Sequence, residues 1–239
     1  ISNTVMGLDS GDAITTGDAN VSLGYRSLST NTTSNKNTAI GTNALATFNV
    51  TTDTDTYNVA LGFSAGTAVT TGINNTLVGA TAGDALTDAD YNVGVGVGSL
   101  GSDTKGSRAV AIGINALYAQ NFTTSTDNYN TAVGYGVGVA VTTGINNTLV
   151  GALSGDALTD ADYNVAVGAY TLTADTLGYK STAIGYAALQ TQNFTTATDS
   201  FNTAVGAYSG VSVTTGTHNT FVGGLSGDAV TTGAQNTAI

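Results

Sequence analysis

Carboxylate side chains are the residues in this sequence whose type and spacing first indicate chemistry. Three of them cluster at Asp84, Asp88 and Asp90, and the same cluster returns further along the chain. Calcium takes several hard oxygen ligands, often from flexible turns, so each cluster predicts a calcium site. The spacing matches neither an EF-hand loop nor a glycine-rich calcium repeat, and the alternative is that these acids are solvated turn residues. The candidate ligands are Asp84, Asp88, Asp90, Asp156, Asp160 and Asp162.

Catalytic residue types are scarce. The chain has one histidine, His218, no cysteine, and sixteen acids that are all aspartate. No set of nucleophile, base and orienting group can be assembled from these residues, and we interpret His218 as a turn variant. The glycine runs at 94–98 and 134–136 lack the following helix that a dinucleotide-binding loop requires. We therefore expect no enzyme and, apart from calcium, no cofactor.

The element that must position these residues is a repeat. The pentapeptide at 37–41, NTAIG, recurs with a short step of 17 or a long step of 21, and every four steps sum to 72. A fixed period of this kind predicts one continuous array, with superrepeat blocks at 3–57 (partial), 58–129, 130–201 and 202–239 (partial). The repeats start at residues 3, 20, 37, 58, 75, 92, 109, 130, 147, 164, 181, 202, 219 and 236.

Each repeat is typical of one turn of a β-solenoid, which predicts an all-β fold of about 13 turns. The second residue is Thr or Val and the fourth is aliphatic, so alternation places both on one strand face, which we predict to be the core. The leading Asn, found in most repeats, is predicted to form an amide ladder along a corner. A second short strand is predicted after the first, as at 67–70 and 84–87. With strands about 4.8 Å apart, the turns would give a rod roughly 60 Å long.

The opposite strand face carries small residues, mostly Ala at the third position and Gly at the fifth. Small residues permit another backbone to approach closely. The small residues of this face include Ala39, Gly41, Ala60, Gly62, Ala111, Gly113, Ala132, Gly134, Ala183 and Gly185.

The long repeats have four residues more than the short ones, and the extra residues fall within the segments 46–57, 117–129 and 189–201, which we call the excursions. Insertions in solenoids form loops on one side, often the side that meets partners. Each excursion has an aromatic residue on both shoulders, and we predict all six to lie in exposed loops. Basic residues just before the excursions predict ion pairs of Lys36, Arg108 and Lys180 with Asp55, Asp127 and Asp199. The six aromatic residues are Phe48, Tyr57, Phe122, Tyr129, Phe194 and Phe201.

Three stretches carry a resemblance to a known family: NTAIGTNAL at 37–45, SRAVAIGINAL at 107–117 and STAIGYAAL at 181–189. They resemble the YadA-like head repeat of trimeric autotransporter adhesins, and similar repeats occur in phage tail fibres. The resemblance implies a left-handed β-roll, three chains wound about one axis, and an adhesive rod exposed at a surface. It also implies that the smooth face of one chain meets the other chains, and we therefore predict inter-chain contacts at the ten Ala and Gly residues given above for the small strand face.

Composition and charge narrow the function further. The net charge of −11 disfavours binding to nucleic acid, whose phosphates are also negative. The sequence contains no run of 18 apolar residues, so we expect no membrane contact within this segment. Together with the resemblance, these features lead us to expect a non-enzymatic structural and adhesive segment of an extracellular homotrimeric fibre, cut from a longer chain, at a cell or virion surface. Its partner would be a host-cell, matrix or receptor ligand. The alternatives are a phage tail-fibre shaft, a self-polymerising extracellular filament, and an ice-binding solenoid, which the Thr row disfavours because it is predicted to be core.

Overall fold

The computed structural model describes residues 2–239, and their regular structure consists of short parallel β-strands. Within that range there is no helix, so none could serve as an apolar membrane span. The strands are β1 (Thr4–Met6), β2 (Val21–Leu23), β3 (Thr38–Ile40), β4 (Val59–Leu61), β5 (Thr76–Val78), β6 (Val93–Val95), β7 (Gly106–Ser107), β8 (Val110–Ile112), β9 (Thr126–Asp127), β10 (Thr131–Val133), β11 (Thr148–Val150), β12 (Val165–Val167), β13 (Gly178–Tyr179), β14 (Thr182–Ile184), β15 (Thr198–Asp199), β16 (Thr203–Val205), β17 (Thr220–Val222) and β18 (Thr237–Ala238).

The chain forms two compact units, each a stack of β-solenoid coils. Unit 1 comprises residues 2–115 with 120–127, and its main sheet has the order β1-β2-β3-β4-β5-β6-β8. Unit 2 comprises residues 116–119 with 128–239, and its main sheet has the order β10-β11-β12-β14-β16-β17-β18. Seven coils in each unit confirm the predicted β-solenoid and bring the total to about 14, the last being the truncated repeat.

The strand register follows the repeat steps read from the sequence. Thr4 pairs with Val21, one short step along the chain, whereas Thr38 pairs with Val59, one long step along it. The four extra residues of a long repeat therefore leave the main sheet without changing its register. Outside the main sheet, the excursions form small parallel pairings, β7 with β9, β13 with β15, and a single bridge between Asn35 and Asp55.

The second strand predicted within each coil does not form. Residues 67–70 and 84–87 adopt turn and bend structure. Their backbone instead makes single hydrogen bonds from coil to coil, such as that from the N–H of Thr70 to the carbonyl of Thr87 at 2.8 Å. Even a short coil has to turn several corners, which leaves only three residues in extended conformation on the main sheet.

The side-chain amides of the leading Asn residues form the predicted ladder, inside each unit. The Oδ1 atom of Asn58 accepts a hydrogen bond from the backbone N–H of Asn75 at 2.9 Å, and its Nδ2 donates to the carbonyl of Gly72, also at 2.9 Å. The same pattern recurs in unit 2, where Asn147 binds Asn164 and Ala161. Each Asn therefore satisfies two backbone groups that would otherwise be buried without partners.

The interior of the coils contradicts the predicted assignment of strand faces. In the main-sheet strands from β2 to β17, the residue at the third position points inward and is buried, and the second and fourth positions point outward. Leucines from the far side of the coil, such as Leu45 and Leu117, fill the rest of the interior. Where the ninth residue is a leucine, the third residue is small because the two share this narrow space.

Candidate binding surface

The alanines predicted to contact other chains lie inside the coil, so that part of the prediction is wrong, whereas the predicted glycines stack between successive coils of one chain. The five alanines, Ala39, Ala60, Ala111, Ala132 and Ala183, are fully buried within the single chain. The five glycines, Gly41, Gly62, Gly113, Gly134 and Gly185, all have positive φ angles between 126° and 147°. A Cβ atom on Gly41 would lie 2.3 Å from the carbonyl oxygen of Gly62, so the close approach is between successive coils rather than between chains.

The outward-facing strand residues form what we call the outer sheet face, which comprises the second and fourth residue of every main-sheet strand. Its fourth residues are aliphatic, and Leu61, Ile112 and Ile184 remain 44, 38 and 37 % exposed. Its second residues are Thr or Val, as in Thr76 and Val93. No charged residue occupies either position in any strand. Each unit therefore presents a regular apolar surface built from three-residue strands.

A second surface feature runs beside the outer sheet face, at the residue that precedes the first residue of each repeat, from the third repeat onward. We call it the aromatic column, because aromatic and polar residues alternate along it from coil to coil. In unit 1 the column comprises Lys36, Tyr57, Asn74, Tyr91 and Arg108. In unit 2 it comprises Tyr129, Asn146, Tyr163, Lys180, Phe201, His218 and Gln235.

The backbone holds the aromatic column in register. The N–H of Asn74 donates to the carbonyl of Thr56, the neighbour of Tyr57, at 2.8 Å, and the N–H of Tyr91 donates to Ile73 at 3.0 Å. Every residue at this position from Ala19 to Gln235 has a φ angle between 48° and 65°. Glycine is the residue best suited to this left-handed conformation, yet it never occurs at this position, so the column retains side chains at a conformational cost.

Ion pairs connect the basic residues of the column to the excursions, as the sequence predicted, and the same basic residues also make cation–π contacts with aromatic rings of the column. Lys36 Nζ lies 2.6 Å from Asp55 Oδ2, and Lys180 Nζ lies 2.7 Å from Asp199 Oδ2. The hydrogen bond from Lys36 lowers the pKa of the Asp55 carboxyl. Lys36 Nζ also lies 5.2 Å from the centre of the Tyr57 ring. The third predicted pair, Arg108 with Asp127, has a separation of 2.9 Å, and the Arg108 guanidinium lies 4.9 Å from the Tyr91 ring.

The aromatic shoulders of the excursions divide into two groups, so the prediction that all six are exposed is half wrong. Tyr57, Tyr129 and Phe201 are about half exposed, because they belong to the aromatic column. The first shoulders, Phe48, Phe122 and Phe194, are buried at 0, 6 and 5 % exposure. A wider coil encloses more interior space, and the first aromatic ring of each excursion turns inward to fill it.

The predicted calcium ligands do not come together. Asp90 Oδ1 accepts a hydrogen bond from the N–H of Ile73 at 2.7 Å, whereas Asp88 pairs with Lys105 at 3.5 Å. Nowhere in residues 2–239 do three or more His or Asp side chains form a group that could hold a metal ion. Partial burial raises the pKa of four of the six carboxyls, because it disfavours their charged form. These four are Asp84, Asp90, Asp156 and Asp162, while Asp160 accepts a hydrogen bond from Thr143.

A buried polar network near the third excursion was missed at the sequence level. Asp175 Oδ1 accepts hydrogen bonds from the N–H of Gly178 at 3.1 Å and of Phe194 at 3.0 Å, and its Oδ2 accepts one from Gln192 Nε2 at 2.5 Å. Gln192 Oε1 accepts one from Asn202 at 2.8 Å. Burial raises the pKa of Asp175. The sequence signal for this network is the twelfth repeat position. It is apolar in most coils, but it is Asp in the coil before the second and third excursions and Gln in the next coil.

The equivalent network around the second excursion pairs Asp103 with Gln120, whose Nε2 donates to Asp103 Oδ2 at 2.6 Å. The remaining chemistry-bearing residue, His218, contacts the ring of Phe201 with a centroid distance of 5.1 Å. His218 thus lies in the aromatic column, in a turn position shared with Asn74 and Asn146.

Comparison of the chain with protein-family descriptions, curated proteins and solved structures finds no match in any of the three.

Proposed function

We propose that this chain is a non-enzymatic structural and adhesive segment of an extracellular fibre in which three copies associate through the outer sheet face. The observation that carries the proposal is that surface itself: an uncharged apolar row in each unit, with Leu61 and Ile112 of unit 1 and Ile184 of unit 2 more than a third exposed. Large exposed apolar patches mark interaction sites in soluble proteins. We place the fibre at a cell surface as an adhesin, and a phage tail-fibre shaft would use the same surface.

The repeat explains why the partner is another copy of the chain. A sheet of identical spacing offers matched ridges along its whole length, so each coil of one chain finds an equivalent coil on its neighbour. In an assembly of three chains with threefold cyclic symmetry, every chain buries this face against its neighbours and no chain is left with an unpaired interface. The charged residues are excluded from the outer sheet face and lie at its margins, as in the Lys36–Asp55 pair, where they keep the assembly soluble.

Sedimentation equilibrium of this segment tests the proposal. A closed assembly of three chains has three times the mass of one chain, which is 23.6 kDa. We expect the double substitution Ile112→Asp and Ile184→Asp to reduce the mass to that of one chain, since it places two charges on the outer sheet face. The matched control is Ser125→Asp, at an exposed excursion residue, which should retain the mass of wild type. A wild-type mass equal to that of one chain would contradict the proposal, and unlimited growth would favour the filament.

An ice-binding function is the second candidate, and one finding favours it. The Thr residues at the second repeat position, such as Thr38 and Thr76, lie on the outer sheet face rather than in the core. Regular rows of Thr and Val methyl groups on a flat surface suit an ordered layer of water. Both functions require the outer sheet face, so a chain that buries this face against other copies cannot present it to ice. A monomeric wild type with thermal hysteresis, and loss of that hysteresis in Thr76→Tyr, would therefore favour ice binding over the fibre.

A further inference from the structure

The aromatic column presents a periodic surface outside the buried interior of the coils. Its rings recur on every second coil within each unit, as Tyr57 and Tyr91 do in unit 1. Adjacent coils are about 4.8 Å apart, so successive rings are spaced by roughly 10 Å. The five rings of the column are between 46 and 54 % exposed, so each keeps a contact surface for a ligand. They are Tyr57, Tyr91, Tyr129, Tyr163 and Phe201.

Polar groups alternate with these rings at the same spacing. Asn74 lies between Tyr57 and Tyr91, and Asn146 lies between Tyr129 and Tyr163. Across residues 2–239 neither the Asn74 nor the Asn146 side chain finds a hydrogen-bond partner, although their backbones are fixed by hydrogen bonds of 2.8 and 2.7 Å. An amide offers one acceptor and two donor hydrogens, which suits it to paired hydroxyl groups.

We propose that the aromatic column binds an extended β-1,4-linked polysaccharide laid along the stack of coils. A sugar ring presents polarised C–H bonds on its face, and these pack on the electron-rich face of an aromatic ring. In an extended β-1,4 chain, equivalent sugars recur at a distance close to that of two coils. Every second sugar can therefore contact a ring, while the hydroxyls of the intervening sugar face an Asn or a basic residue.

Electrostatics favours a neutral polysaccharide over an acidic one. The chain has a net charge of −11, and the basic residues of the column are already paired, as Lys36 is with Asp55 and Lys180 with Asp199. A polyanion would meet the repulsion of the whole chain, and the paired cations of the column would do little to offset it.

This inference deepens the proposed adhesive function and rests on it, since it names the class of ligand that the fibre would hold. The test uses the whole segment with microcrystalline cellulose and chitin in pull-down, and with cellohexaose in calorimetry. The column variant carries Tyr57→Asn, Tyr91→Asn, Tyr129→Asn and Tyr163→Asn, because Asn already occupies this column at the same φ angle. The control variant removes four exposed tyrosines beyond the other end of the strands: Tyr25→Asn, Tyr135→Asn, Tyr186→Asn and Tyr208→Asn.

We expect wild type and the control variant to bind at least one of the three probes, and the column variant to lose about tenfold or more in affinity. Failure of the wild type to bind any probe would overturn the proposal, as would equal loss in both variants. Sedimentation of the same samples separates this result from the assembly. A fall in mass of the column variant would assign the column to contact between chains, and that too would overturn the proposal.

Discussion

Leu77 and Gly83 share one space in the interior of their coil. A Cβ atom on Gly83 would lie 2.7 Å from Leu77 Cδ2, closer than two carbon atoms can approach. In other coils the sizes are reversed, with Ala39 at the third position and Leu45 at the ninth, both fully buried. In these coils the third and ninth residues therefore fill the interior together, one large and one small.

Exchange of these sizes gives the first prediction. Gly83→Leu should destabilise unit 1 by about 1–3 kcal/mol through overpacking, and Leu77→Ala should cost about 2–5 kcal/mol through a cavity. The double variant reproduces the arrangement of Ala39 and Leu45, and Leu45 shows that Leu is accepted at a φ of 49°. Its loss should be smaller than the sum of the single losses. Urea denaturation of the four proteins measures this coupling, and additive losses would show that the two positions do not share space.

The close stacking of the glycines at the fifth position gives the second prediction. Gly41→Ala would place a Cβ atom 2.3 Å from the carbonyl oxygen of Gly62, at a φ of 132° that disfavours any side chain. We expect a loss of more than about 3 kcal/mol, seen as a large fall in the thermal midpoint. The control is Gly224→Ala, whose Cβ would have its nearest neighbour at 3.8 Å. Equal midpoints for the two variants would contradict the stacking.

The Asn ladder gives the third prediction. Asn147→Ala would leave the N–H of Asn164 and the carbonyl of Ala161 buried without their partners, at a cost of about 2–5 kcal/mol. Lys180→Met removes the ion pair with Asp199, which is exposed and screened by water, and should cost only a small part of that amount. Denaturation at low and high salt measures both, and a larger loss for Lys180→Met would reverse this ranking.

The buried carboxyl of Asp175 gives a prediction about pH. Burial raises its folded-state pKa above the ordinary value of 3.8, so the folded state binds the proton more tightly than the unfolded state does. The stability that this group contributes is full below pH 3.8 and is lost as the pH rises through the folded-state pKa. Asp175→Asn removes the titration. The unfolding free energy of wild type minus that of the variant should therefore fall as the pH rises above 3.8.

Chemical denaturation of both proteins at a series of pH values measures that difference. The other carboxyls titrate in both proteins, so their contributions cancel to first order. A difference that stays constant, or that grows with pH, would show that the hydrogen bonds from Gln192, Phe194 and Gly178 outweigh the burial of Asp175.

The sequence alone was sufficient for the features that depend on the repeat. The short and long steps predicted the parallel register, such as Thr38 with Val59, because equivalent residues of successive coils must pair. The Asn ladder and the pairing of Lys36 with Asp55 followed for the same reason. Each of these features requires only that one coil lies on the next.

The tertiary structure alone decided which strand face lies inside. Alternation shows that Thr38 and Ile40 share a face and that Ala39 lies on the other, but it is the same for either orientation. The choice depends on Leu45, which fills the interior from across the coil and leaves space only for an alanine. The inward turn of Phe48 has the same origin. Burial is a property of the closed coil, and a local pattern of residues does not contain the volume that the coil encloses.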